Sequence, residues 1–132
     1  MSVENRFSEL EAARIRMRSY LQQHRVGAQA LYNAELVLEE VLTNAIKYAF
    51  EDGADHCIEV EIAVAHDAVV MQFVDDGAPF DPTRPPPQAR PATIQEAQIG
   101  GLGLTLIRSA CRQLAYAREA GKNHLSITIA NP

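Results

Sequence analysis

Six of the seven prolines in this 132-residue chain fall between positions 79 and 91, and they limit the folds open to it. Pro79, Pro82, Pro85, Pro86, Pro87 and Pro91 each remove a backbone donor and fix φ, so no helix or central strand can cross the stretch. From Asp81 to Ile99 the chain is expected to form one long loop, broken by a short helical turn around Thr93 to Ala97. A loop of this length in so small a domain is either functional or disordered.

The two flanks carry regular patterns. Ser8-Glu9-Leu10-Glu11 fits a capping box, which predicts a first helix from about Glu9 to His24. Its apolar positions are Leu10, Ala13, Met17 and Tyr20 or Leu21; Arg14, Arg16, Arg18 and Arg25 are spread over the solvated faces. Val26-Gly27 ends it, and a second helix follows from about Ala28 to Phe50. Leu31, Ala34, Leu38, Leu42, Ala45 and Ala49 form its apolar stripe, while Glu40, Asn44 and Lys47 cluster away from that stripe at steps of four and three. A carboxylate and an amide so placed can share a metal-bound phosphate, and polar residues opposite an apolar stripe are equally what any surface helix shows.

Cys57 to Ala65 alternates apolar and polar residues as a half-buried strand does, and Ala68 to Val74 is a second, more apolar strand joined to it by His66-Asp67. Beyond the prolines, Gly100-Gly101-Leu102-Gly103-Leu104 opens a third helix with an apolar face of Leu102, Leu106, Ile107, Ala110 and Leu114. A strand around Leu114 to Arg118, a turn from Glu119 to Asn123 and a strand from Leu125 to Ala130 close the chain. This order predicts an α+β fold: a two-layer sandwich of a mixed, mostly antiparallel sheet with about three helices on one face. Residues 1–132 are expected to form a single domain, long enough to bury a core without metal or disulfide.

Composition narrows the function classes. With 47% hydrophobic residues, 22% charged residues and no apolar run near 18, the chain reads as a globular domain rather than a membrane span. A net charge of −5 without a basic cluster counts against nucleic acid or an anionic membrane as the main partner. The amino terminus has neither a basic start nor an apolar segment, so a cytoplasmic location is expected. Cys57 and Cys111 have no CxxC spacing and are expected to be buried thiols. His24, His56, His66 and His124 share no ligand spacing with each other or with the cysteines.

Gly100, Gly101 and Gly103 lie where a helix begins, with free N–H groups and the positive end of the dipole, and this position suits an anion such as phosphate. A hinge with tight helix-to-sheet packing is the other reading of the same residues. The run matches neither the phosphate-binding loop, which needs a following Lys and Ser or Thr, nor the dinucleotide fingerprint, which needs a preceding strand. Asp75 ends an apolar strand and Gly77 follows; the carboxylate can accept from an exocyclic amine such as that of adenine, or simply close an Asx turn. Asp76 is expected to face solvent and Asp81 to cap the loop. Mg2+ needs only one or two protein oxygens besides substrate phosphates, and Asn44 can supply one.

Taken in order, these features resemble the ATP-binding domain shared by gyrase, the heat-shock chaperone, histidine kinases and mismatch-repair ATPases, the GHKL superfamily with its Bergerat fold. Within it the likeness is to the stand-alone serine kinases that act as anti-sigma factors in bacterial partner-switching systems. Glu40-Val41-Leu42-Thr43-Asn44-Ala45 resembles their first box, Asp75-Asp76-Gly77-Ala78-Pro79-Phe80-Asp81-Pro82 the second, Gly100-Gly101-Leu102-Gly103-Leu104 the third, and Gly121-Lys122-Asn123-His124-Leu125 the closing turn. The resemblance implies ATP and Mg2+ as cofactors, Glu40 as general base, Asn44 as magnesium ligand and Lys47 near a phosphate. It further implies Asp75 on the adenine amine with Gly77 beneath the base, Gly101, Leu102 and Gly103 at the phosphates, and residues 81–99 as the ATP lid. An anti-sigma-factor antagonist as protein substrate, a sigma factor as second partner and a homodimer follow from the same likeness; a nucleotide-binding partner-exchange module without phosphoryl transfer is the alternative. Three departures stand out. The closing strand has Gly121-Lys122-Asn123 in place of a Gly-Thr pair, which leaves the roles of Asn123 and Ser126 open. The first strand is shortened to a few residues before Phe7, and no phospho-accepting histidine helix is present.

Overall fold

Two alternating segments pair as the pattern predicts: β2 (Cys57–Val64) and β3 (Ala68–Asp75) run antiparallel, with Val60 opposite Phe73 and Ile62 opposite Met71. The computed structural model of the chain describes residues 1–50, 52–83 and 103–132, and of 103–105 the backbone alone. The turn expected around Thr93 to Ala97, the lid beyond Thr83, and Gly100, Gly101 and Leu102 lie outside the described residues.

Around this hairpin the sheet grows to five strands in the order β1-β2-β3-β5-β4, with β1 (Ser2–Glu4), β4 (Gln113–Glu119) and β5 (Lys122–Ala130). All four pairings among the described residues are antiparallel, in line with the mostly antiparallel sheet expected. The shortened first strand is present as a three-residue edge. One face carries Ile58, Val60, Met71, Phe73, Ile127 and Ile129, all at most 2% exposed. Alternation along each strand puts Glu59, Glu61 and Gln72 on the other face.

The buried face is covered by α1 (Leu10–Gln23), α2 (Ala28–Asn44) and α3 (Gly103–Ala110). Ala13, Met17 and Leu21 anchor α1, whereas Ala34, Val37, Leu38, Val41 and Leu42 anchor α2 in the common core. Burial of these apolar side chains is what fixes the helices, at roughly 25 cal/mol per Å² removed from water.

Four expectations are corrected. Ser8 does not cap α1: a 3-10 turn over Phe7–Glu9 precedes the helix, the Glu9 N–H bonds Arg6 O at 3.0 Å, and no side chain caps either start. A tight turn begun three residues early places Ser8 inside the helical path, where its hydroxyl no longer faces the orphan donors. The second helix does not run to Phe50 as an α-helix, because residues Ala45–Ala49 form a π-turn. The final strand begins at Lys122 rather than Leu125, since Ala120 (φ +51°) and Gly121 (φ +74°) make a two-residue hairpin turn. Lastly, Cys57 is exposed rather than buried, sharing the outward parity of Glu59 and Glu61 on β2, while Cys111 is half-buried; both are free thiols.

Candidate functional site

The last turns of α2 end over one edge of the buried face, and the π-turn shapes what is presented there. Each π-turn accommodates an extra residue, so side chains after Asn44 are rotated from where a continuous α-helix would put them. Glu40 and Asn44, on the regular part, keep their i,i+4 relation and are both half-buried. Lys47 falls inside the π-turn and is exposed. Among the described residues, no hydrogen bond or ion pair engages the side chains of Glu40, Asn44 or Lys47.

The π-turn also aims Ala49 at the residues that follow β3. Ala49, 6% exposed, gives its carbonyl to the Ala78 N–H at 2.8 Å. A Cβ added at Gly77 would lie 2.6 Å from both the Cβ and the carbonyl oxygen of Ala49. What the missing Cβ admits here is therefore the end of the α2 segment. Arg118 of β4 fastens the same loop by donating to Gly77 O at 2.7 Å.

Asp75, last residue of β3, lies opposite Asn123 of β5. Its Oδ1 accepts the Gly77 N–H at 2.9 Å, the Asx turn expected from the sequence, and a second N–H from Asn123 Nδ2 at 2.9 Å. Asn123 Nδ2 also donates to Ala78 O at 2.9 Å, while its Oδ1 accepts the Phe80 N–H at 3.3 Å and the Tyr116 hydroxyl. Tyr116 is thus the site residue that sequence reasoning misses, and Asn123, whose role the sequence leaves open, lies in a strand rather than in the expected turn. The signal that finds them is strand parity: Asn123 precedes Leu125, Ile127 and Ile129 on the buried face, which puts Ser126 on the opposite face.

Asn44 and Asp75 line one small cavity of about 40 Å³, together with Val41, Phe80, Tyr116 and Asn123. Its lining is largely apolar, with one carboxylate, two carboxamides and the Tyr116 hydroxyl among it, the mix of apolar surface and few polar groups that a small-molecule site has. Asp81 caps the loop as expected, accepting the Thr83 N–H at 2.8 Å, and Arg108 of α3 donates to Thr83 O at 3.1 Å. Gly103 is the first described residue of α3.

Asp76 is exposed, and it takes part in a cluster just outside the cavity. His56 Nδ1 lies 3.1 Å from Asp76, its Nε2 lies 2.8 Å from Asp52, and the Phe50 ring stacks on the imidazole at 4.5 Å. The hydrogen bond to Asp52 raises the His56 pKa, and the Ala54 N–H followed by His56 lowers that of Asp52. A raised histidine stabilises fully below its ordinary 6.5 and less as pH climbs through the folded value; a lowered aspartate stabilises above its ordinary 3.8 and less as pH falls. The cluster therefore contributes most between those two values. Melting temperatures of the wild type and His56→Gln should differ most between those two values and less as pH climbs past the ordinary histidine value; a gap that widens with rising pH would contradict this assignment.

The profile of the histidine kinase-like ATPase domain family matches residues 3–129. Over 106 residues the chain is 35% identical to the serine/threonine-protein kinase BtrW of Bordetella bronchiseptica, covering 79% of this chain and 73% of that protein. It is 31% identical over 85 residues to the serine-protein kinase RsbW of Listeria monocytogenes, covering 61% of this chain and 54% of that one. The histidine kinase domain of a blue-light activated histidine kinase from Erythrobacter litoralis superposes with a TM-score of 0.58 at 20% identity, over 92% of this chain and 61% of that domain, and shares the fold. The chain thus spans little more than half the length of RsbW.

Proposed function

This chain belongs to the histidine kinase-like ATPase domain family, and on that premise we propose that it is an ATP-dependent protein serine kinase. Its substrate in this reading is a small anti-sigma-factor antagonist, and a sigma factor is the partner it holds otherwise, in a cytoplasmic partner-switching system. The observation that carries the reading is the meeting of Asn44 and Asp75 at one apolar cavity, although 31 positions separate them in sequence. The names of BtrW and RsbW, both protein kinases, support transfer to a protein hydroxyl over ATP binding alone.

The donor set fits an adenine nucleotide with magnesium. Oδ1 of Asp75 is engaged by two N–H groups, and among the described residues no hydrogen bond engages Oδ2, which is left to accept from an exocyclic amine beside apolar walls. Asn44 offers a carboxamide oxygen, the hard donor that magnesium takes. At about 40 Å³ the cavity holds little more than a water or two, so entry of a purine requires it to widen. Bound magnesium would neutralise phosphate charge. The chain positions the base through Asp75, offers the Asn44 oxygen one helical turn from Glu40, and uses the Glu40 carboxylate to take the proton of the accepting serine hydroxyl. Lys47, Gly101, Leu102 and Gly103 are assigned to the phosphates, Gly77 to the space beneath the base, and residues 81–99 to the lid.

Titration calorimetry with Mg-ATP tests the core of this. The wild type should bind, and Asp75→Asn should bind at least tenfold more weakly, because the amide that replaces Oδ1 or Oδ2 turns an acceptor into a donor. Equal affinity in the variant would remove Asp75 from base recognition. ATP binding with partner capture but no phosphoserine on any candidate antagonist would favour a partner-exchange module instead.

A further inference from the structure

We propose that Asn123 is a positioning residue for base recognition, which holds the Asp75 carboxylate in its binding orientation and ties that carboxylate to the segment entering the lid. The proposal rests on the reading of Asp75 as the acceptor for an adenine amine.

Asn123 is the one buried polar side chain among the described residues, at 5% exposure. A carboxamide offers two donors and two acceptor lone pairs, and all four are used. Nδ2 donates to Asp75 Oδ1 and to Ala78 O, and Oδ1 accepts from the Phe80 N–H and the Tyr116 hydroxyl. The orientation of the amide follows from its neighbours. Turned over, Oδ1 would face the Asp75 carboxylate and the Ala78 carbonyl, and Nδ2 would face the Phe80 N–H.

With its capacity spent, Asn123 has nothing left for a ligand. Its influence passes through Asp75, whose Oδ1 it shares with the Gly77 N–H, so that two donors fix one carboxylate oxygen of a residue that lines the cavity, and among the described residues no hydrogen bond holds the other. The same amide grips Ala78 and Phe80, the residues that lead toward the lid, and Phe80 lines the cavity. A threonine hydroxyl, with one donor, cannot hold both Asp75 and Ala78. Carboxylate orientation and lid entry are thus fastened at one side chain.

The test compares Mg-ATP with Mg-ITP, whose base carries a carbonyl in place of the 6-amino group and so offers Asp75 no exocyclic amine. For Asn123→Ala, calorimetry should show ATP affinity falling about tenfold while ITP affinity stays within about twofold, so the preference for ATP collapses. Asn123→Asp is the near-isosteric second variant. It sets a carboxylate against Asp75, with the Ala78 carbonyl, the Phe80 N–H and the Tyr116 hydroxyl on β4 as its other polar neighbours and the Arg118 guanidinium on Gly77 O. ATP affinity of Asn123→Asp should recover as pH falls and one carboxyl of the pair takes up a proton to donate. A parallel loss of ATP and ITP affinity, with no pH recovery, would reduce Asn123 to a structural role and overturn the proposal. Unchanged ATP preference in both variants while Asp75→Asn loses it would overturn the proposal alone. Absence of ATP binding by the wild type would overturn it together with the reading of Asp75.

Discussion

Replacing Glu40 with alanine should leave Mg-ATP bound and cut phosphate transfer to the antagonist serine by about 10²–10⁴-fold, the usual contribution of a positioned general base. The helix supports a separation of these two effects. Glu40 sits on the regular part of α2, half-buried, one turn before Asn44, and does not line the cavity that Asn44 and Asp75 share. Removing it deletes no contact to a base lying beside Asp75. Phosphoserine formation from labelled ATP measures the loss, and calorimetry on the same preparation checks that nucleotide affinity holds. Wild-type transfer by Glu40→Ala would take Glu40 out of the mechanism, whereas a loss of affinity equal to the loss of transfer would make it a binding residue.

Gly77→Val should be the most damaging single substitution outside the core. Even the first added carbon would stand 2.6 Å from the Cβ and the carbonyl oxygen of Ala49, and neither atom belongs to a side chain that can swing away. Retreat of Ala49 would break its 2.8 Å hydrogen bond to Ala78, and retreat of Gly77 would break the 2.7 Å contact with Arg118. Overpacking of this kind costs about 1–3 kcal/mol for a methyl, and a branched side chain lies at or above the upper end. Denaturant unfolding should show a lowered midpoint, with Gly77→Ala falling between wild type and valine. ATP binding should weaken in step, because the Gly77 N–H is one of the two donors on Asp75. An unchanged midpoint for the valine variant would show that the loop and the end of α2 do not need this close approach.

Much of the architecture was legible because burial imposes periodicity. Leu38 and Leu42 on α2, and Val60 with Phe73 across the central hairpin, lie where spacing puts them, and Asp75 closes its Asx turn as the sequence implies. Three misses have local causes. Ser8 satisfies a capping pattern, yet a preceding 3-10 turn changes which backbone donors are free, and short-range patterns do not encode that. The π-turn at Ala45–Ala49 leaves no compositional trace, since alanine and isoleucine suit an α-helix equally well; it is the packing of Ala49 on Gly77 that singles it out. Asn123 falls in the turn expected from Glu119 to Asn123 around Gly121, and pairing with Asp75 and Arg118 draws it into the strand instead. Of the site itself, the sequence disclosed which residues carry polar chemistry, while the sharing of one Asp75 oxygen between Gly77 and Asn123 required the fold.

The hairpin between β4 and β5 acts as a ruler whose length matters more than its composition. Ala120 and Gly121 alone span it, and both lie in the left-handed region. From there every residue of β5 has its face decided by counting: Asn123 inward, His124 outward, Leu125 inward. One residue added to or taken from the turn, with the pairing of β4 kept, would exchange odd for even along the strand and send Asn123 to solvent in place of His124. Variation in this region can therefore alter the letters of the turn but not their number without taking the Asn123 carboxamide out of the cavity lining.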